Sequence, residues 1–347
     1  MLNSEFFETV SYNCDVSDAN YWGYFSICSL LLRLRQLFKI ERDLEPWESI
    51  ENEEIFKWIE KKEEVWKSLE NTKLKQVQIN KSFFSPFDVE EINSFIFNKG
   101  LVYGAGYSLF KKPSFFIGLI SKIEEIDGYR IYFIGKEIVR DLFSSSGMSQ
   151  NNTIYIRLMD IKYRIWENLH GWQNKKDIVS EILLSRFGNP SGWQYPYPEF
   201  EKIVQKYSQI VLYHEIAEQQ ESLSLWMELI KNCMDSKTEY ILRGIKDFVA
   251  DFSIKGPVYK AIDNKDEELL ALYLVSQNPY HKKVLKQTLA QIKDALHFKD
   301  WKEIDKIRCR EFKRWKSVSK QLIEIFELKG FNEVKSLTDK IFEGYMN

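Results

Sequence analysis

The sequence contains few of the residues that interrupt helices and form turns. Its 347 residues include only 15 glycines and 8 prolines, whereas sandwiches and barrels need many short strands joined by turns rich in these residues. Hydrophobic residues make up 44% of the chain, an ordinary share for a globular protein with a buried core. The composition therefore predicts a folded, mainly helical protein and argues against disorder.

Cysteines, long apolar runs and net charge are also scarce. The four cysteines, Cys14, Cys28, Cys233 and Cys309, show no CxxC spacing, so neither a zinc knuckle nor a disulfide framework is indicated. No stretch approaches the roughly 18 uninterrupted apolar residues of a membrane span, and the first residues do not resemble a secretory signal. The net charge of -2 gives no general attraction to nucleic acid or anionic membranes. We expect a cytoplasmic protein that has no membrane partner and does not act mainly on nucleic acid.

Charge is unevenly distributed along the chain. Residues 41–70 hold eleven acidic and five basic residues, whereas residues 299–320 hold nine basic and four acidic ones. Solvated helix faces explain most runs of this kind. A second interpretation makes the basic segment 299–320, with Trp301, Phe312 and Trp315, a docking surface for an acidic partner or RNA. The aromatic helices near the N-terminus are the other candidate surface for a protein partner.

Periodicity separates helices from a small sheet. Helical spacing over 19–38 and 51–70 predicts a helical hairpin. Residues 101–135 instead form runs rich in β-branched and aromatic residues, and Asp127-Gly128 between two of these runs is typical of a hairpin turn. The chain after the sheet predicts only helices. The expected fold class is mainly α (α+β), a helical bundle-like protein with a small antiparallel β-sheet insertion of about three strands around residues 101–135.

The serine-rich segment 144–152 is the best candidate domain boundary, because Gly and Asn cluster there between two apolar-periodic segments. We predict an N-terminal domain over 1–146, built from the helical hairpin and the small antiparallel sheet. An all-helical domain over 147–347 follows it.

The segment "YHEIAEQQES" at 213–222 lies in this second domain and contains residues suited to a metal site. His214 and Glu218 stand four residues apart and continue the apolar stripe of their helix, so both point to the interior. Two ligands from one helix face are typical of metal-binding helices, and the intervening Glu215 can serve as general base on a metal-bound water. Asp247 and Asp251 in "GIKDFVAD" have the same spacing and can complete the ligand set.

The HExxE pattern resembles the HExxH helix of zinc peptidases with the second histidine replaced by Glu218. This difference weakens a peptidase assignment and shifts the expected metal toward a harder, more oxygen-rich site such as manganese or iron. The cofactor expected is a divalent ion: zinc, manganese or iron. A structural interpretation stays open, in which the same side chains form an interhelical salt-bridge network with Lys246 or Arg243 as the cation.

The segment "LVYGAGYSLFKKPSFFIG" suggests a loop that contacts an anionic group. It matches neither the Walker pattern nor the dinucleotide pattern, so no nucleotide cofactor is indicated. Glycines in a strand more often mark a bulge or a close backbone approach. The functional alternative is a ligand loop that overhangs a pocket, formed by Tyr103, Gly104, Gly106, Tyr107, Lys111 and Lys112.

Two weaker patterns share one histidine. Glu167 and His170 have the ExxH spacing of di-iron bundles but point away from the apolar stripe of their helix. Arg164 and His170 resemble the motif of helical HEPN ribonucleases, without its preferred polar residue after the arginine. His281 and His297 lie near predicted helix ends, which indicates surface or capping residues.

Four segments together resemble an uncharacterised bacterial family of similar length with no assigned activity. The resemblance spans most of the chain and implies an H-E-x-x-E helix and a D-x-x-x-D pair at the positions already singled out, but no substrate. The segments are "NCDVSDANYWGYFSICSLLLRLRQLFKIERDLEPW", "LVYGAGYSLFKKPSFFIGLI", "YHEIAEQQES" and "RGIKDFVAD".

The function expected first is a metal-dependent enzyme, a hydrolase by preference, acting on a small-molecule or peptide substrate. His214 and Glu218 serve as ligands, Asp247 or Asp251 completes the shell, and Glu215 is the general base. The alternative is a non-catalytic helical module that binds another protein and whose His/Glu/Asp cluster is structural.

Overall fold

The computed structural model describes residues 4–173, 176–233 and 235–346, and the chain folds into two compact units. The first unit ends at Trp166 and the second begins at Glu167. The sequence placed the boundary in the serine-rich segment, but the strands on both sides of that segment belong to one sheet. The division therefore comes after the last strand.

A mixed five-stranded sheet forms the centre of the first unit. Its strand order is β3-β4-β5-β7-β6, and all neighbours are antiparallel except β5 and β7, which run parallel. A separate hairpin pairs β1 with β2. The strands are β1 (Val77–Ile79), β2 (Ser82–Phe84), β3 (Leu101–Tyr107), β4 (Pro113–Ile126), β5 (Tyr129–Arg140), β6 (Gly147–Gln150) and β7 (Thr153–Arg157).

The predicted hairpin turn is confirmed, because Asp127-Gly128 joins β4 to β5 and Ile126 pairs with Tyr129. The two strands are offset by irregularities in their pairing, so the sheet is less regular than an ideal antiparallel hairpin.

The prediction of helices directly after residue 135 is wrong, because strands continue to Arg157. β7 is buried at Ile154, Tyr155 and Ile156, so it lacks the polar alternation that marks a half-buried strand. A helix follows it without a turn at Leu158. The strand and helix therefore read as one continuous helical pattern in the sequence.

Four α-helices precede the five-stranded sheet in the described part of the first unit. α1 and α4 pack on one face of the sheet, where Phe6, Ile92 and Phe115 belong to one buried cluster. α2 and α3, the predicted helical pair, pack around Leu37 and Trp66. These helices are α1 (Ser4–Tyr21), α2 (Ile27–Glu41), α3 (Asn52–Leu69) and α4 (Val89–Ile96).

The second unit contains only helices within its described residues, and the mainly α fold class is confirmed. α5 (Leu158–Gln173) includes the division between the units. The helices that follow are α6 (Ile178–Phe187), α7 (Pro198–Glu221), α8 (Trp226–Asn232), α9 (Ser236–Phe252), α10 (Pro257–Asp263), α11 (Glu267–Ser276), α12 (Pro279–Val284), α13 (Lys286–His297), α14 (Trp301–Lys329) and α15 (Phe331–Met346).

α9 is central to the second unit and packs against both α7 and α14. Its buried stripe includes Ile241, Ile245 and Phe248. Gly244 lies against Tyr280, and a Cβ at this glycine would be 2.6 Å from Cε1 of the tyrosine ring. Because glycine has no side chain, the start of α12 can approach α9 closely at this point. Across the described residues, no helix is both long and apolar enough to cross a membrane.

Candidate metal centre

α7 and α9 bring three of the predicted ligands together. One ligand atom each of His214, Glu218 and Asp247 lies within 4.8 Å of the others. Nε2 of His214 is 3.6 Å from Oε2 of Glu218 and 3.9 Å from Oδ1 of Asp247. The i, i+4 spacing on α7 and the packing of α9 against it produce this convergence.

These separations are longer than hydrogen bonds, which rarely exceed about 3.2 Å between nitrogen and oxygen. Metal–ligand bonds of about 2.1 Å place neighbouring ligands of a tetrahedral ion roughly 3.4 Å apart. The two separations from Nε2 of His214, 3.6 and 3.9 Å, are therefore slightly longer than this ligand spacing. The three atoms do not form a closed network of direct hydrogen bonds among themselves.

Asp251 lies behind the imidazole ring and not beside the other ligand atoms. Its Oδ1 is 2.7 Å from Nδ1 of His214, and its Oδ2 accepts a hydrogen bond of 3.0 Å from the Tyr273 hydroxyl. Burial lowers the pKa of His214, but Asp251 and Glu218 outweigh this effect and hold the pKa well above its usual value. Asp251, which the sequence suggested as a metal ligand, is therefore placed to orient the ring of His214.

Lys246 supplies a cation at the edge of the cluster. Its Nζ is 2.7 Å from Oε1 of Glu218, the carboxylate oxygen that does not face His214. Burial raises the pKa of Glu218, but Lys246 and His214 together lower it well below its usual range. Arg243, the other cation considered from the sequence, pairs with Glu239 at 2.9 Å.

Asp247 contacts a second histidine that the sequence interpretation placed at the surface. Nε2 of His281 is 3.6 Å from Oδ2 of Asp247, and only 8% of the His281 surface is exposed. Burial lowers the pKa of His281 and raises the pKa of Asp247. Asn278 and Pro279 are start signals for the short helix α12, but no local pattern shows which way His281 points. The surface interpretation is wrong for this residue.

Glu215, the predicted general base, is buried on α7 next to His214 in the chain. It does not belong to the group of converging ligand atoms found among the described residues. A step of one residue rotates a side chain by about 100° around a helix, so Glu215 leaves α7 in a different direction from His214.

The predicted ligand loop is largely built into the core of the first unit. Tyr103 is buried, and its hydroxyl donates to the Pro86 carbonyl at 2.6 Å. Lys112 is fully buried, with Nζ 3.0 Å from Oδ1 of Asp18 and 2.6 Å from Oδ2 of Asp141. This lysine therefore ties α1 to the sheet.

The other residues of the loop divide between core and surface. A Cβ at Gly104 would lie 2.5 Å from Cζ of Phe116, so this glycine permits a close approach. Tyr107 is exposed and stacks on Phe87 at 4.8 Å. Gly106 and Lys111 are partly exposed at the end of β3 and in the short turn after it.

The remaining sequence candidates receive little structural definition. The side chain of His170 lies outside the described part of the chain. Both patterns that include this histidine, the ExxH pair with Glu167 and the HEPN-like pair with Arg164, therefore stay predictions. In the basic segment 299–320, Trp315 is buried. Lys316 binds the carbonyl and carboxylate of Glu221 at 2.8 Å, so part of the basic charge is used inside the second unit.

The fold and this cluster define a two-unit, mainly α protein whose second unit carries histidines and carboxylates at one point. The chain belongs to a family of unknown function (DUF6866). The model of the family's N-terminal domain matches residues 5–157, and that of its C-terminal domain matches residues 162–344. No curated protein and no solved structure matches the chain. The expected resemblance to an uncharacterised family is thus confirmed.

Proposed function

We propose that the second unit binds one divalent metal ion and uses it to hydrolyse a small-molecule or peptide substrate. The ligands are Nε2 of His214, Oε2 of Glu218 and Oδ1 of Asp247. The observation that carries this proposal is their convergence within 4.8 Å, together with the Asp251 contact that directs Nε2 toward the other two. Histidine ligands of metals commonly have such a carboxylate behind them.

The charge of the cluster supports a divalent ion. Glu218, Asp247 and Asp251 contribute three negative charges when ionised, Lys246 contributes one positive charge, and neutral imidazoles contribute none. With both imidazoles neutral, as metal binding requires, the sum is two negative charges in a largely buried place, where uncompensated charge is costly. Without an ion, the raised pKa of His214 adds one positive charge that balances part of this sum. One divalent cation balances it, and the mixed nitrogen and oxygen donors suit zinc, manganese or iron.

Three protein ligands support a catalytic site over a structural one. Structural zinc sites use four protein ligands, whereas catalytic sites use three and leave a position for water or substrate. The side chains of His214, Glu218 and Asp247 keep 23%, 19% and 28% of their surface exposed, so solvent reaches the cluster. A water bound to the ion at this position becomes acidic enough to act as a nucleophile near neutral pH.

The proposal is tested by metal analysis of the purified full chain with plasma mass spectrometry. We expect about one equivalent of a divalent transition metal, lost in His214→Gln and in Glu218→Gln. His297→Gln is the matched control, because this histidine is exposed on α13. Metal-free protein from metal-replete cells that also binds no added zinc, manganese or iron would overturn the proposal.

The second candidate function is a non-catalytic interaction module with a structural salt-bridge network. The 2.7 Å contact between Lys246 and Glu218 favours it, and exposed Ile27 and Phe56 on α2 and α3 provide apolar surface for a protein partner. If this candidate is right, the purified protein contains no metal. A protein partner that co-purifies with the chain should no longer do so when Ile27 and Phe56 are replaced with Ser. If the partner instead binds the basic surface of α14, partner binding should be lost when Lys313 and Lys320 are replaced.

The four cysteines are free thiols. We propose a cytoplasmic location, because reduced cysteines without disulfides are typical of reducing compartments.

A further inference from the structure

We propose that a small cavity beside Glu218 binds a carbonyl oxygen of the substrate, with Nε1 of Trp226 as the hydrogen-bond donor. This inference rests on the proposed function and names the substrate class: a peptide or another compound that carries an amide group close to the hydrolysed bond. The lining of the cavity and the unpartnered indole N–H of Trp226 support it.

The cavity is lined by residues of α7, α8, α9 and α14 and of the segment that joins α7 to α8. It encloses about 270 Å³, part of which is open to solvent, and the enclosed part has room for about one water-sized group. Trp226, Val249 and Ser319 in the lining are buried, whereas Ser222 is exposed. A single oxygen atom of a larger molecule can therefore enter from the side of Ser222.

Trp226 places an indole N–H in the core without a partner. Only 2% of the surface of this residue is exposed, and Nε1 has no hydrogen-bond partner among the described residues. An indole nitrogen can only donate a hydrogen bond, and a buried donor left unpaired is costly. Because Trp226 lines the cavity, an acceptor oxygen bound there can satisfy this donor.

The charges around the cavity favour a neutral acceptor over an anion. Two carboxylates, those of Glu218 and Glu221, belong to the lining. Nζ of Lys246 lies 2.7 Å from the carboxylate of Glu218, and Nζ of Lys316 lies 2.8 Å from that of Glu221. Each pair is neutral, so a carboxylate bound in the cavity would add a negative charge without a cation of its own. A carbonyl oxygen accepts from the indole N–H without adding charge.

Glu218 connects the cavity to the proposed ion. Its Oε2 faces Nε2 of His214, whereas its Oε1 accepts from Lys246, which lines the cavity. A substrate held by the ion at its hydrolysed bond can therefore extend past this one carboxylate and place a second carbonyl group against Trp226. Neighbouring residues of a peptide carry two carbonyl groups at such a short separation.

Two zinc-binding hydroxamates test this inference by calorimetric titration of the zinc-loaded full chain. N-acetylglycine hydroxamate carries an amide carbonyl a few atoms from the group that binds zinc, whereas pentanohydroxamate has a plain alkyl chain of the same length. We expect the first probe to bind about 5- to 10-fold more tightly, the usual effect of one added hydrogen bond. In Trp226→Phe, which keeps an aromatic ring but has no N–H, the two affinities should agree within about twofold.

NMR of the unaltered chain labelled with ¹⁵N-tryptophan provides a second measurement. We expect the indole N–H resonance of Trp226 to move downfield with N-acetylglycine hydroxamate and to stay in place with pentanohydroxamate. Trp193 is the internal control, because its indole N–H already donates to the Phe187 carbonyl at 2.7 Å. Trp226→Phe assigns the resonance, and the comparison of the two affinities in the unaltered chain stands even if this variant does not fold.

The outcomes separate this inference from the proposed function. Equal affinity of the unaltered chain for the two hydroxamates would rule out the carbonyl subsite. A Trp226 resonance that neither probe moves would do the same, and it is the result expected if a structural water holds the indole N–H. Failure of the proposed function gives a different result, in which the chain binds no zinc and neither hydroxamate binds to it.

Discussion

Nδ1 of His214 and Oδ1 of Asp251 are 2.7 Å apart across the packed helices α7 and α9. Because an ionised carboxylate only accepts hydrogen bonds, Nδ1 carries the proton and Nε2 is directed toward Glu218 and Asp247. One interhelical contact therefore sets both the tautomer and the direction of the proposed ligand.

Asp251→Asn should weaken zinc binding by about 10–100-fold. The amide can turn its NH₂ group toward Nδ1, which favours the tautomer with a proton on Nε2. Competition with a zinc chelator measures the affinity. Asp247→Asn should lose more, because it removes a ligand charge, and an Asp251→Asn protein with unchanged affinity would show that the contact does not orient a ligand.

Lys246→Met should destabilise the metal-free protein by about 2–3 kcal/mol, below the 3–5 kcal/mol of a fully buried pair, since both partners are partly exposed. The loss arises because Glu218 keeps its charge without its cation. Saturating zinc should reduce the loss, because the ion replaces the cation. Urea unfolding with and without zinc measures the difference, and an equal loss in both conditions would favour the salt-bridge network.

The stability of the metal-free protein should fall as the pH rises above the unfolded histidine pKa of about 6.5. The pKa of His214 is raised in the folded state, chiefly by Asp251 against the effect of burial, so the folded protein binds this proton more tightly than the unfolded chain. The contribution is complete below the unfolded pKa and is lost as the pH rises through the folded pKa.

Urea unfolding at several pH values, with a chelator present, tests this dependence. The free energy of unfolding of the unaltered protein should approach that of His214→Gln as the pH rises. A constant difference between the two proteins would contradict the raised pKa of His214.

Gly104→Ala should destabilise the first unit by about 1–3 kcal/mol, the usual cost of overpacking a core. The added Cβ would lie 2.5 Å from Cζ of Phe116 and 2.8 Å from Cε of Met148. Gly106→Ala is the control, because its nearest neighbour is Sδ of Met148 at 3.6 Å. Thermal unfolding compares the unfolding temperatures of the two variants. Equal decreases would show that close packing against Phe116 is not what requires glycine at position 104.

Part of the site followed from helical periodicity. The rotation of about 100° per residue predicted that His214 and Glu218 leave α7 on one inward face, and the structure brings both together with Asp247. Periodicity could not show that Asp251 lies behind the ring, because one helical turn separates it from Asp247 and only the rotation of α9 against α7 distinguishes their positions.

The local elements could be predicted from the residues alone: the helices with their apolar stripes, the turn between β4 and β5, and the HExxE spacing. These follow from interactions between residues close in the chain. The folded chain was needed to show that β6 and β7 complete the sheet and that Tyr273, Gln277 and His281 lie beside the cluster. Their positions depend on how α11 and α12 pack against α7 and α9, and packing between distant segments leaves no periodic signal in the sequence.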